Sequence, residues 1–386
     1  MKATEADDRV ELEKYGFNIL EFLGQENSSS VYKVSTHSNN QIYAVKVILP
    51  QNEQRRLNFP NLGGCLPKNI ECEQFVKYYR EVPLPNSYLV FMEYVEGCSA
   101  LQMMRMLERP LNEREINAIV LLTLHALKNL HSLGVVHNDL KANNILLTKE
   151  GEIKLTDWEL MNYITEKYEL KGFKDESPHY RPPEYFESVD LNSSLYKAFR
   201  HNQHNKKLPH QTIVDGQIAD QNDVQNNGQI NGQNDDKENE VIVRNYSDKS
   251  DIWALGITML EMKNSTPPNH DAGYVEVETL TLSCKPEAPT DSSRLFKRFI
   301  DKIFEKEPTA RPSAAKLLEH RFVNQLTVEE AKEMVKEMAE RYATYKIDQL
   351  SDKSEEDEED EEEEEEFNEP FNIPATDFPA LNLYDE

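Results

Sequence analysis

Residues 135–157 read VVHNDLKANNILLTKEGEIKLTD, and this stretch decides which fold the chain is expected to adopt. Asp139, Lys141 and Asn144 stand two and three residues apart, and Asp157 follows thirteen residues later. Two short apolar runs, ILL and IKL, lie on either side of a turn between Asn144 and Asp157. A polar loop with capping residues would explain any one of these side chains, but it does not explain all four at this spacing.

This spacing resembles the H-R-D-x-K-x-x-N catalytic loop and the D-F-G segment of eukaryotic protein kinases. Phosphoryl transfer to a hydroxyl group requires a carboxylate that accepts the proton, a cation near the moving phosphoryl group and oxygen ligands for Mg²⁺. Asp139 is the candidate base, Lys141 the candidate cation, and Asn144 with Asp157 the candidate metal ligands. The resemblance therefore implies a kinase that uses ATP and Mg²⁺.

The sequence on either side of this stretch changes its periodicity. Residues 15–100 alternate β-type runs such as IYAVKVIL with turn residues, which predicts a small antiparallel sheet. From residue 101 the apolar spacing becomes helical, with one broad apolar face formed by Ile116, Ile119, Val120, Thr123, Leu124 and Leu127. We therefore expect an α+β, bilobal protein kinase fold over residues 15–323, with an antiparallel N-lobe at 15–93, a helical C-lobe at 98–323 and a cleft between them.

Two segments do not have the composition of a packed core. Residues 202–240 are rich in Asn, Gln and Asp and poor in large apolar groups, so we expect a disordered insert there. Residues 355–366 are twelve consecutive carboxylates, and residues 351–386 are expected to form an acidic disordered tail. Between the kinase domain and this tail, residues 328–349 predict a helical extension, solvated and packed on the helical lobe.

Further motifs of the protein kinase family follow in the expected order. Lys46 resembles the strand lysine that holds the α- and β-phosphates, and Met92 resembles the residue that guards the back pocket. The same resemblance implies that the main chain of Glu93 and Val95 faces the adenine. The resemblance implies an ATP-binding set formed by Leu23, Gly24, Val31, Ala44, Lys46, Glu93, Val95 and Leu146.

The second half of the sequence resembles the structural core of the same family. Residues 177–184 resemble the end of the activation segment, and residues 251–256 the buried helix that anchors the catalytic loop. Arg311 is expected to pair with Glu184. KANNILL and SDIWALGITMLEM are most similar to the sterile-20 branch of serine/threonine kinases, and the C-terminal layout resembles its Hippo-type members.

Several positions depart from the family pattern. Only Gly24 remains of the three glycines that close on the phosphates, and Glu26 adds a negative charge there. Trp158 and Glu159 follow Asp157 in place of Phe and Gly, and Asn138 replaces the arginine that receives an activating phosphate. The acidic partner of Lys46 is not assigned; the candidates are Glu53, Glu71 and Glu73.

These matches and departures leave two hypotheses. The first is a serine/threonine protein kinase of reduced activity, and the second is a pseudokinase that acts as a nucleotide-binding or scaffold module. The expected partners are ATP and a protein substrate for the first hypothesis, and ATP or a scaffolded protein for the second. The tail at 367–386 is either a docking peptide or a terminus with incidental apolar residues.

Charge and hydropathy limit which other partners we expect for the chain. The net charge of −27 argues against nucleic acid as a ligand, because phosphate binding needs clustered Lys and Arg. The charged first residues, MKATEADDRVELEKYG, do not resemble a signal peptide, and no apolar run approaches the roughly 18 residues of a membrane span. We therefore expect no membrane partner and a location in the cytoplasm, with the nucleus as an alternative.

Overall fold

The structure, a computed structural model, describes most of the predicted kinase domain and the helix that follows it. The described residues are 12–13, 16–26, 29–37, 40–48, 72–83, 87–157, 177–187, 213–214, 217–218 and 247–357. They form two compact units. The strand unit takes its described residues from 1–108, 146–156 and 329–386, and the helical unit from 109–145 and 157–328. The predicted lobe bounds, 15–93 and 98–323, remain a prediction, because the two compact units divide the chain at other residues.

The strand unit contains a five-stranded antiparallel sheet in the order β1-β2-β3-β5-β4. Its strands are β1 (Phe17–Glu26), β2 (Ser29–Thr36), β3 (Ile42–Ile48), β4 (Tyr78–Pro83) and β5 (Tyr88–Met92). The antiparallel sheet predicted from the alternating sequence is confirmed.

The two faces of this sheet have different compositions. Residues directly opposite each other in an antiparallel pair lie on the same face, and successive residues alternate between faces. Tyr32, Val45 and Phe91 lie opposite one another on β2, β3 and β5 and belong to one apolar cluster. The cluster consists of Leu12, Phe17, Tyr32, Val34, Tyr43, Val45, Val47, Leu89 and Phe91. Val31 and Lys46, which lie opposite each other, belong to the other face.

A second, three-stranded sheet completes the sheet structure of the strand unit. It runs in the order β6-β7-β8, with β6 at Gly97–Ser99, β7 at Ile145–Thr148 and β8 at Ile153–Leu155. Helix α1 (Ala100–Leu107) begins directly after β6, and the capping box of Ser99 and Gln102 satisfies its first N–H groups. The Nε2 of Gln102 also donates to the main-chain oxygen of Leu23, at 3.1 Å, which ties α1 to β1.

The helical unit is built around two long helices. The first, α2 (Glu113–Ser132), starts at the capping residue Asn112, and the six residues of its predicted apolar face are all buried. The short helix α3 (Pro183–Glu187) precedes the second long helix, α4 (Asp248–Asn264). The helices α5 (Tyr274–Ser283), α6 (Arg294–Ile303) and α7 (Ala314–Leu317) follow. Single 3-10 turns lie at Ala142–Asn144, Pro178–Tyr180 and Val323–Gln325. The predicted α+β class, with an antiparallel sheet in the first part of the chain and helices after it, is confirmed.

Helix α4 is the centre of the helical unit. Every residue from Ser250 to Met262 is buried. Gly256 faces Ile303 and Phe304, which leave no room for a side chain at that position. None of the helices in the described ranges combines the length and apolarity that a membrane crossing would require.

The predicted insert is described at four residues only. Between α3 and α4, the two-residue strands β9 (Ile213–Val214) and β10 (Gln217–Ile218) pair antiparallel. All other residues of 202–240 lie outside the described ranges, so the predicted disorder of this insert stays a prediction.

The last helix, α8 (Val328–Asp357), corrects the prediction for the helical extension. From Glu329 onward it belongs to the strand unit, and not to the helical part on which we expected it to pack. Lys332 pairs with Glu152 in the turn between β7 and β8, and Lys346 pairs with Glu21 on β1. Its buried stripe consists of Ala331, Val335, Met338 and Ala339. The helix also continues past residue 349, its predicted end, and the tail from residue 358 lies outside the described ranges.

Gly151 is the point of closest approach between α8 and the turn before β8. Its φ is +80°, and a methyl group at this position would overlap the main-chain carbonyl of Lys332. We expect Gly151→Ala to lower the free energy of unfolding by about 1–3 kcal/mol, because an overpacked contact adds to the cost of a left-handed alanine. Amide exchange in α8 should rise as well, which mass spectrometry can measure.

Gly134→Ala is the matched control for this change. Gly134 has a similar φ of +74°, but no atom among the described residues lies within 4 Å of the added methyl group. The control therefore contains the backbone strain without the overlap. Equal losses in the two variants would show that α8 does not press on Gly151.

Candidate active site

The loop that carries Asp139 is held by a buried acid on α4. Asp251 is fully buried, and its carboxylate accepts hydrogen bonds from the main-chain N–H groups of His137 and Asn138, at 2.8 and 2.7 Å. The imidazole of His131 lies 2.8 Å from the same carboxylate. These bonds fix the main chain directly before Asp139.

A second acid on α4 holds the loop after Asp139. The carboxylate of Glu261 accepts a hydrogen bond from the N–H of Ala142 at 3.0 Å, and the hydroxyl of Thr258 donates to the carbonyl of Leu140 at 3.3 Å. The loop is therefore supported on both sides of its central aspartate, as the resemblance of residues 251–256 implied.

The structure brings three of the predicted site residues into direct contact. The Nζ of Lys141 lies 3.0 Å from Oδ2 of Asp139, and Nδ2 of Asn144 donates to the same oxygen at 3.0 Å. Asn144 also donates to the main-chain oxygen of Asp139 at 2.8 Å, and Lys141 donates to the hydroxyl of Ser177 at 3.3 Å. The carboxylate is thus oriented by two neighbours from its own loop.

These neighbours also set the charge of Asp139. Burial raises the pKa of this carboxyl, but the nearby charges of Lys141 and Arg181 and the hydrogen bond from Lys141 outweigh burial. The net effect is a pKa below the usual value. Asp139 is therefore ionised at neutral pH and has the form that a general base requires.

The two predicted metal ligands fit Mg²⁺. Asn144 is 1% exposed, and its buried Oδ1 has no hydrogen-bond partner among the residues that the structure describes. Such an oxygen is a suitable ligand for a hard cation. Asp157 follows β8 with a φ of +59°, a conformation that aspartate tolerates better than most residues. Burial lowers the pKa of His137, and the negative charges of Asp251, Asp139 and Asp157 oppose this shift.

The predicted ATP-binding residues all belong to the strand unit. Gly24, Val31 and Lys46 lie directly opposite one another across β1, β2 and β3. Ala44, two residues before Lys46, lies opposite Met92 on β5 and therefore on the same face. This face is opposite to the one that carries the apolar cluster. The remaining members occupy the β1 strand, the segment after β5 and β7: Leu23, Glu93, Val95 and Leu146.

An ion pair that the sequence did not predict fixes Glu93. The Nζ of Lys154 on β8 lies 2.6 and 2.8 Å from the two carboxylate oxygens of Glu93. The N–H of Glu93 donates to the carbonyl of Lys77 at 2.8 Å, and the N–H of Lys77 donates back to the Glu93 carboxylate at 3.2 Å. The 61-residue separation of Lys154 and Glu93 left no sequence signal for this pair.

Arg181 is a second residue that sequence reasoning missed. Its Nη1 donates to the main-chain oxygen of Asn138 at 2.5 Å and contacts Oδ1 of Asn138 at 3.3 Å. The guanidinium also lies over the ring of Tyr185, 5.2 Å from its centroid. The available signal was the absence of an arginine at position 138 together with its presence directly before Pro182.

The predicted pair of Glu184 and Arg311 is present. Arg311 is 1% exposed, and its two terminal nitrogens lie 2.8 and 3.0 Å from the carboxylate oxygens of Glu184. It also donates to the carbonyls of Lys249 at 2.7 Å and Glu305 at 2.9 Å. This arginine therefore connects the end of the activation segment to the interior of the helical unit.

Several predicted features lie outside the described residues. These are Glu53, Glu71, Trp158, Glu159 and the tail at 367–386. Of the three candidate partners for Lys46, only Glu73 is described, and it lies exposed in a turn before β4.

An aspartate in contact with a lysine and an asparagine, on a loop held by two buried acids, is the arrangement of the catalytic loop in protein kinases. Comparison with known proteins agrees. The family model of the protein kinase domain matches residues 17–196 and 234–323. The chain belongs to this family, and within it resembles the sterile-20 branch of serine/threonine kinases.

Individual relatives support the same assignment. Serine/threonine-protein kinase dst4 of Dictyostelium discoideum is 28% identical over 84% of this chain and 57% of its own length. Serine/threonine-protein kinase 4 homolog B of the same organism is 28% identical over 79% of this chain and 23% of its own length. Serine/threonine-protein kinase 10 of Danio rerio is 27% identical over 80% of this chain and 27% of its own length. The match thus spans between 23% and 57% of these relatives.

Proposed function

We propose that this chain transfers the γ-phosphoryl group of ATP to serine or threonine hydroxyls of protein substrates. The observation that carries the proposal is the hydrogen-bonded group of Asp139, Lys141 and Asn144 around one ionised carboxylate. The comparisons support membership of the serine/threonine kinase family, and the active chemistry is inferred from this group.

The reaction assigns one task to each side chain. Asp139 orients the substrate hydroxyl and accepts its proton as the new oxygen–phosphorus bond forms and the bond between the γ-phosphorus and ADP breaks. Lys141 supplies positive charge next to this carboxylate, where negative charge moves during transfer. Asn144 and Asp157 would hold Mg²⁺, which neutralises phosphate charge when bound. A lysine two residues after the base favours serine and threonine substrates in this family.

The strand unit would hold the nucleotide. Because the N–H of Glu93 is committed to Lys77, a contact between this residue and the adenine falls to the Glu93 carbonyl. Lys46 lies on the face opposite the apolar cluster, which suits the proposed contact with the α- and β-phosphates.

The first hairpin favours reduced activity. The pairing of β1 with β2 continues to Gln25 opposite Ser30 and Glu26 opposite Ser29. Side-chain-bearing residues therefore stand where flexible glycines would let the main chain close over phosphates. The alternative function, a pseudokinase that acts as a nucleotide-binding or scaffold module, rests on this observation and on the residues that replace the D-F-G pattern.

The two functions are separated by phosphate transfer with the full chain. The assay contains ATP, a generic basic protein substrate and Mg²⁺ or Mn²⁺, and Asp157→Ala is the control. We expect transfer by the wild-type chain and its loss in the control, with ATP binding measured in parallel by calorimetry. Binding without transfer, or neither, would establish the pseudokinase alternative.

A further inference from the structure

We propose that Arg181 takes the place of the arginine that the catalytic loop lacks at position 138, and that it holds this loop in its working conformation without a phosphate. Arg181 is a positioning residue, because it contacts the main chain next to the base and not the reacting atoms. The inference rests on the proposed function only for its effect on the rate of transfer.

Residue 138 is held from both of its peptide groups. Its N–H donates to Oδ1 of Asp251 at 2.7 Å, and its carbonyl accepts the 2.5 Å hydrogen bond from Arg181. The Asn138 side chain adds a third contact, from Oδ1 to the same nitrogen of Arg181. Since this carbonyl belongs to the peptide that leads into Asp139, the Arg181 bond fixes the orientation of the base.

The backbone conformation at residue 138 needs such support. Asn138 has a φ of +65°, in the left-handed region that most residues avoid and that asparagine tolerates best among non-glycine residues. Asparagine thus lowers the local strain, while its short side chain leaves the space beside the carbonyl for a guanidinium from elsewhere. Asp251 and Arg181 together hold the residue in this conformation.

Arg181 is itself held in position. Its own N–H donates to the carbonyl of Pro178 at 3.1 Å, and its guanidinium lies over the Tyr185 ring. The side chain is half-buried, and its charge is close enough to help lower the pKa of Asp139. The cation is therefore arranged by residues of the 3-10 turn and α3, which are described parts of the folded helical unit.

This arrangement implies a different regulation. An arginine at 138 that waits for a phosphate on the activation segment makes the loop conformation depend on a modification. Arg181 instead reaches the loop from the folded end of that segment and binds a main-chain carbonyl, which is present at all times.

The test uses four variants of the full chain: Arg181→Gln, Arg181→Lys, Asn138→Arg and the exchange variant Asn138→Arg/Arg181→Gln. We expect Arg181→Gln to lower kcat by about 10- to 100-fold with KM for ATP nearly unchanged, because a small displacement of the base costs about that much. Arg181→Lys should recover part of the loss. Asn138→Arg alone should also lower kcat, because arginine is strained in the left-handed conformation of this residue, and the exchange variant should fall at least as far as Arg181→Gln.

Arg298→Gln, which removes an exposed arginine from α6 of the same unit, is the matched control and should leave kcat unchanged. Phosphatase treatment of the wild-type chain should also leave kcat unchanged. A wild-type kcat in Arg181→Gln, an exchange variant that recovers the wild-type kcat, or a loss of activity on phosphatase treatment would each overturn the proposal.

Amide exchange separates this inference from the proposed function. If the wild-type chain transfers no phosphate, protection of the N–H groups at residues 137–140 still shows whether Arg181 holds the loop. We expect faster amide exchange there in Arg181→Gln and partial recovery of protection in Arg181→Lys. Unchanged protection in Arg181→Gln would overturn the role of Arg181 whether or not the chain is an active kinase.

Discussion

Asp139→Asn is expected to lower kcat for phosphate transfer by about 10²- to 10⁴-fold, the range that general-base catalysis contributes in enzymes. The change removes the negative charge and the proton acceptor but keeps the shape of the side chain. The amide oxygen can still accept the hydrogen bond from Asn144, so the loop should stay folded. Initial rates with a basic protein substrate measure kcat, and calorimetry with ATP measures binding.

ATP affinity should change little in this variant, because the predicted ATP-binding residues belong to the strand unit. Asp291→Asn is the matched control, since Asp291 is exposed in the helical unit and lies 3.6 Å from Lys263. This control should retain the wild-type rate. A wild-type rate in Asp139→Asn would show that the chain is an active kinase in which Asp139 is not the base.

Arg311→Ala is expected to lower the free energy of unfolding by about 3–5 kcal/mol, the cost of breaking a buried ion pair by removing one partner. The change leaves the Glu184 carboxylate without its partner and removes the donors to three main-chain carbonyls, those of Lys249, Glu305 and Lys306. It also removes a cation that lies 5.1 Å from the centroid of the Trp253 ring. Denaturant titration followed by tryptophan fluorescence measures the loss.

The exposed pair of Lys316 and Glu319 provides the comparison. Both side chains are about two-thirds exposed, so Lys316→Ala should change stability by no more than about 0.5 kcal/mol. The double variant Glu184→Gln/Arg311→Met should be more stable than Arg311→Ala, because no charge is then left buried without a partner. A loss below about 1 kcal/mol in Arg311→Ala would contradict the structural role assigned to this arginine.

The features that the sequence predicted well are those with a local or strictly spaced signal. The sheet followed from the period-two alternation of short runs, and the buried face of α2 from its apolar spacing. Asp139, Lys141 and Asn144 lie within six residues of one another, so their contact in the structure required only a correct interpretation of one loop. Local order thus carried the fold and the centre of the candidate site.

The features that the sequence did not predict depend on long side chains that meet across large separations. Arg181 reaches a carbonyl 43 residues away, and Lys154 reaches Glu93 across 61 residues. Arginine and lysine at such positions look like ordinary surface residues until the tertiary structure places a partner beside them. A contact between two residues far apart in the chain leaves no periodic pattern in the sequence.

The position of α8 shows a third kind of difficulty. Half of its buried stripe is alanine, Ala331 and Ala339, which adds little to an apolar pattern. Small residues nevertheless permit the close approach at Gly151, where the helix main chain takes the space of a side chain. A narrow apolar stripe with two alanines can therefore form a tight contact. For this reason the apolar pattern of 328–349 did not reveal that the helix belongs to the strand unit, and the prediction of packing on the helical lobe was wrong.

The attachment of α8 to the strand unit also bears on the order in which the chain can fold during synthesis. The strands β1 to β5 are the first elements made, yet Glu21 and the turn at Glu152 meet their partners on a helix made last. Contacts between such distant positions close the longest loop in the chain and form late. The strand unit therefore cannot make its contacts with α8 until the residues of the helical unit have been synthesised.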